Sequence, residues 1–149
     1  MSRSKGSKRR VDGQQVLREA FESVDHEPLF ERLGVRIRED LFILSLTHRS
    51  FAYENGMLPH NERLEFLGDA VLDLAVGDYL FRRFPEWPEG DLTRAKASVV
   101  CKPACAECAA NFHVGDYMLL GRGEEMSGGR TRVSILGNAF ESVSYTHLR

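Results

Sequence analysis

From residue 14 onward, apolar residues return every three or four positions, and no segment alternates apolar with polar over the length of a strand. The helical pattern is carried by "QQVLREAFESV", "DLFILSLTHRSF", "NERLEFLGDAVL" running on to "DYLFRRF", "EGDLTRAKASVVCKPACAECAANF" and "TRVSILGNAFESVS". The connectors "ENGMLPH", "PEWPEG" and "HVGDYMLLGRGEEMSGGR" hold Pro or Gly, which punctuate helices. "YMLLG" is too short to build a sheet, so the expectation is an all-α fold, and no internal repeat divides it. At 149 residues the chain suits one domain with one core.

Hydrophobic residues at 42% and charged residues at 28% match a globular protein better than a disordered or membrane-embedded one. No apolar run is long enough to cross a bilayer, so no membrane association is expected. The leading "MSRSKGSKRRVDG" is basic, but no apolar stretch follows it as in a secretory signal, and a cytoplasmic location is expected. Residues 1–13 read as a disordered basic tail, residues 14–143 as the folded domain, and residues 144–149 as an atypical tail. A net charge of −2 advertises no general basic field for nucleic acid, although an acidic metal site can coexist with a local basic rim. Cys101, Cys105 and Cys108 form one odd-numbered cluster without distant partners, which favours free thiols over a zinc site.

The segment from residue 61 also carries Glu62, Glu65, Asp69 and Asp73. At 100° per residue these four carboxylates fall within about 80° of one another on a helix. A solvated face is the ordinary explanation of such a stripe, but solvated faces usually mix signs. Here Glu65/Asp69 and Asp69/Asp73 are like-charged pairs at a spacing where repulsion destabilises a helix. Leu64, Leu67, Val71, Leu74 and Ala75 occupy the opposite side and are expected to bury it. An all-oxygen group of this kind calls for a hard cation, Mg²⁺ or Mn²⁺, whose remaining positions go to water and phosphate. One helix supplies only part of such a site. Asn138 and Glu141, at i and i+3 of the last helical segment, are the natural completion.

These residues sit in a pattern that resembles bacterial ribonuclease III. "NERLEFLGDAVL" resembles the signature of that family, and "LTHRSFAYE", "EGDLTRAKASVV", "LLGRGEEMSGG" and "SILGNAFE" resemble its other blocks in the same order. The resemblance spans about residues 27 to 143. It implies an all-helical endonuclease domain that forms a homodimer and cuts double-stranded RNA with Mg²⁺, Mn²⁺ being the expected substitute. It further implies processing of rRNA and mRNA precursors, leaving 5′-phosphate and 3′-hydroxyl ends.

Carried over by position, the resemblance makes Glu65 and Asn138 metal ligands, Asp69 a catalytic carboxylate, and Glu141 both ligand and catalytic residue. Glu62 and Glu89 become supporting acids near the RNA, and Phe66 a dimer contact that plugs into the second subunit. From spacing alone, Phe66 is equally readable as a buried core aromatic. His48 and Arg49 of "THRS" are read as hydrogen-bonding rather than catalytic groups, and Glu124 and Glu125 as solvated loop acids.

Two departures from the family pattern stand out. Asn138 replaces the commoner Asp, so the site has one charge fewer. "SVSYTHLR" breaks from the expected apolar continuation after Glu141, which suggests a truncated or non-native terminus lacking a double-stranded-RNA-binding domain. The alternative to an active nuclease is therefore a catalytically impaired fragment that still binds RNA or dimerises.

Overall fold

The computed structural model describes residues 12–147. Residues 1–11 of the basic tail, and residues 148 and 149, lie outside the described residues.

The fold is all-α, with nine α-helices among the described residues. α1 (Gly13–Glu22) opens on Asp12, whose carboxylate accepts the Gln14 N–H at 3.0 Å. α2 (Glu27–Leu33) has Pro28 in its first turn and ends on Gly34 at φ 70°, a left-handed stop that suits glycine. α3 (Glu39–Leu46) and α4 (Arg49–Glu54) follow, then the 22-residue α5 (Glu62–Arg83). α6 (Glu89–Val100), α7 (Lys102–Asn111), the short α8 (Arg122–Met126) and α9 (Val133–His147) complete the order.

Three boundaries differ from the sequence reading. The single segment expected from 89 to 112 is two helices, broken at Cys101 in extended geometry. Pro103 has no N–H to continue α6, but fits the first turn of a new helix. The segment from 40 to 51 likewise splits at Thr47. There the chain forms a single parallel bridge with Leu119, and the Leu119 N–H reaches Leu46 O at 2.9 Å. The third difference is at the end of the chain, where residues 144–147 continue α9 with Thr146 buried.

α9 is the centre of the molecule and packs most extensively on α5 and α7. Its Ile135, Leu136, Ala139 and Val143 enter a core with Leu29, Phe42, Leu46, Ala106, Ala109, Val114 and Met118. Two glycines set these helix crossings. A Cβ on Gly68 of α5 would lie 1.7 Å from the Glu141 carbonyl oxygen, and one on Gly137 would lie 2.4 Å from Cδ of Lys102.

The apolar side of α5 is covered only in part. Leu64 and Leu80 are buried, but Leu67 is exposed and Leu74 is 74% exposed, against the expectation that this side is core. Phe66 at 78%, Tyr79 and Phe81 are further exposed apolar side chains of the same helix. α5 meets α6 and α9 along one side, and helical spacing does not specify a neighbour for the rest.

Candidate active site

α5 and α9 cross at Gly68, so side chains one turn either side of that contact face each other. Glu62, Glu65, Phe66 and Asp69 from α5 line a cleft of about 640 Å³ together with Asn138 and Glu141 from α9. Val100 and Lys102, flanking the break between α6 and α7, close its far side.

Lys102 is the group that sequence reading missed. Its ammonium donates to Asn138 Oδ1 at 2.7 Å and to Glu141 Oε2 at 2.8 Å, and stands 3.6 Å from Glu65 Oε1. The sequence "VCKPAC" signals only the break: Pro103 ends α6 and sets Lys102 at the start of α7, without showing that Lys102 reaches residues 138 and 141.

Burial differs sharply around the cleft. The Glu141 side chain is 4% exposed and that of Glu65 25%. Desolvation raises the Glu65 pKa above the ordinary carboxylate range; Lys102 opposes the rise and Glu141 adds to it. For Lys102, burial works against the ammonium, but the hydrogen bond and charge of Glu141, with those of Glu65, outweigh it and raise its pKa.

The acidic stripe is answered largely by cations from other elements. Arg49 meets Glu62 at 3.4 Å, Lys102 meets Glu65, and Lys96 of α6 meets Asp73 at 3.7 Å. Asp73 therefore lies outside the cleft, beside Lys96 on a separate surface depression. Among the described residues Asp69 alone of the four has no ion-pair partner, and it is exposed on the cleft wall. Glu89 is not brought to the cleft. It begins α6 at the end remote from Lys102, is exposed, and accepts from the Thr93 hydroxyl at 3.3 Å.

The remaining sequence candidates have structural roles. Half-buried His48 caps α4, its Nδ1 accepting the Ser50 N–H at 3.2 Å, while Ser50 Oγ accepts the Gly121 N–H at 2.8 Å. Burial lowers the His48 pKa, which favours the neutral ring that this cap requires. Glu124 and Glu125 are not free loop acids: they pair with Arg132 and Arg130, and Arg130 also donates to the carbonyls of Gly115 and Met118 at 2.9 Å. The three cysteines are free thiols, and burial pushes Cys105 up to about 11.

Whether these residues suit a divalent cation is decided by the donor set. Among the described residues no three His, Cys, Asp or Glu side chains are gathered closely enough to hold a metal ion. Oxygens of Glu65, Asn138 and Glu141 do surround one cationic centre, the Lys102 ammonium, and all three are hard donors of the kind Mg²⁺ and Mn²⁺ take. The residues fit, with the lysine standing in for the ion.

Residues 38–144 match the family model described as ribonuclease-III-like. Among curated proteins, Ribonuclease 3 of Corynebacterium glutamicum is 50% identical over 96% of this chain, and that of Streptomyces coelicolor 51% identical over 79%. The chain spans 57% of the length of the first and 43% of the second. Among solved structures, a nuclease domain of ribonuclease III from Campylobacter jejuni superposes with a TM-score of 0.76 at 41% identity. That match covers 83% of this chain and 85% of the other, in which a flexible region is involved in dimer formation.

Proposed function

Since the chain belongs to the ribonuclease III family, we propose that it is a Mg²⁺-dependent endoribonuclease that hydrolyses phosphodiester bonds in double-stranded RNA. The observation that carries this reading is the convergence of Glu65, Asn138 and Glu141, from two helices, on one cation position. Mg²⁺, or Mn²⁺ in its place, bound there would acidify a water and neutralise charge on the phosphate.

The chain's own residues supply the rest. Glu141, held in place by burial, and Glu65 provide the negative charge that retains the ion. Asn138 contributes a neutral oxygen, its position fixed by the short helical spacing to Glu141. Asp69, exposed and unpaired among the described residues, is the carboxylate available to orient the attacking water and take its proton. Attack in line on phosphorus would break the bond to the 3′ oxygen, leaving the phosphate on the 5′ end while the departing oxygen takes a proton from solvent to become the 3′-hydroxyl. Glu62, paired with Arg49 at the rim, shapes the approach, and Glu89 serves at a distance from the chemistry.

Recognition of duplex RNA would rest on shape, 2′-hydroxyls and phosphates, because the major groove of A-form RNA excludes side chains. Precursors of rRNA and mRNA in the cytoplasm are the proposed substrates. The exposed apolar side of α5, with Phe66 at its edge, is the proposed homodimer surface, since exposed apolar patches of this kind mark interfaces. An inactive fragment is disfavoured by the continuation of α9 beyond Glu141, with Val143 and Thr146 buried.

The test is incubation of a blunt RNA duplex with the protein and Mg²⁺, alongside Glu141→Gln and Phe66→Ala. The native chain should release fragments bearing 5′-phosphates, and Glu141→Gln should lose roughly 100-fold or more of the rate, since it removes a buried charged ligand. Phe66→Ala should sediment as a weaker dimer. Uncut duplex with folded native protein would overturn the assignment.

A further inference from the structure

The Lys102 side chain is built into the cleft. Its stem lies across Gly137, where a Cβ would fall 2.4 Å from Cδ and 3.0 Å from Cγ. Its ammonium occupies the point on which the Asn138, Glu141 and Glu65 oxygens converge. A primary ammonium has three N–H donors and accepts nothing, so it presents a positive charge to these oxygens, +1 against the +2 of a divalent ion, without an open position for water or phosphate.

We propose that Lys102 is a positioning residue that holds Glu65, Asn138 and Glu141 in register as an internal cation and competes with the divalent ion for the same oxygens. This inference rests on those three residues being the metal ligands. A divalent ion of this class binds oxygen at about 2.0–2.2 Å and cannot share a centre with an ammonium. Entry of the ion must therefore turn Lys102 out of the cleft. That movement is open to it: the side chain is 35% exposed, on a flexible four-carbon stem at the first residue of α7. Buried Glu141 thereby keeps a partner at all times, ammonium or metal, and is spared the cost of an unpaired buried charge. Sequence position does not reveal this arrangement, because Lys102 lies on a third helix and pairs with residues 36 and 39 positions away.

The experiment measures Mn²⁺ binding by calorimetry and thermal unfolding with and without chelator. It compares the native chain with Lys102→Met, Lys102→Arg and Glu141→Gln. Lys102→Met keeps the stem over Gly137 and deletes the charge. It should bind Mn²⁺ about tenfold tighter or more, because no ammonium has to be displaced from the ligand oxygens before the ion enters. Lys102→Arg, which retains the charge, should stay close to the native affinity. In chelator Lys102→Met should unfold at a lower temperature than the native chain, and saturating Mn²⁺ should close that gap. A lysine with a merely structural role would leave the gap unchanged by metal.

Unchanged or weaker Mn²⁺ binding by Lys102→Met, with binding lost in Glu141→Gln, would overturn the competition while leaving the metal site intact. Identical isotherms for the native chain and Glu141→Gln would instead overturn the metal site, and the competition with it.

Discussion

Glu65 is legible in the sequence as part of an acidic stripe with Glu62 and Asp69, and Asn138 with Glu141 as a pair one helical turn apart, because each of these spacings is local. Lys102 is not, because its partners lie on other helices and its sign opposes theirs. The fourfold acidic stripe also divides differently than spacing implies, with Asp73 drawn away by Lys96 and Asp69 left unpaired among the described residues. Away from the site, His26 gives a residue-scale prediction. Its ring stacks on Phe21 at 4.1 Å and meets Phe42 edge-on, and burial lowers its pKa although Asp25 opposes the shift. Because the folded chain resists the proton that the unfolded chain accepts, this contribution is complete above about pH 6.5 and declines as pH falls through the lowered value. Urea midpoints at pH 7.5 and 5.5 should therefore differ less in His26→Phe than in the native chain. An equal difference would remove His26 from the account; His48, shifted in the same direction, should retain its share.

At the scale of elements, helix type was readable in the long segments, but α2 lies in a stretch for which the sequence reading named no helix and α8 in one it read as a connector, and breaks and crossings were read less well. Pro103 and the Thr47 bridge divide segments that periodicity alone runs together, since hydrophobic spacing records a face and not the backbone hydrogen bonds along it. The crossing of α5 and α9 depends on Gly68, a residue with no side chain to reveal its role. Gly68→Ala should stabilise α5 in isolation by about 1 kcal/mol through helix propensity. In the folded chain the new Cβ meets the Glu141 backbone, which cannot rotate away. The net effect should be destabilisation of about 1–3 kcal/mol or more, with weaker Mn²⁺ binding as Glu65 and Glu141 are forced apart. Denaturant unfolding checks this, and a more stable variant would contradict the close crossing.

The whole molecule joins a well-packed half, centred on α9, to an α5 side that is only partly covered among the described residues. The sequence identified that side as apolar but not what covers it, so Leu67 and Leu74 were expected in the core and are exposed. The same incompletely covered helix carries half of the cleft, so dimer formation and the chemistry are proposed for adjacent faces of one element. The central claim is that α5 and α9 together present one cation position, held by Glu65, Asn138 and Glu141. Anomalous diffraction from crystals of the native chain soaked in Mn²⁺ tests it most directly. A peak within about 2.2 Å of oxygens of all three residues is expected, with the Lys102 ammonium displaced from them. A Mn²⁺ peak elsewhere on the chain, with Lys102 still bonded to Asn138 and Glu141, would contradict it.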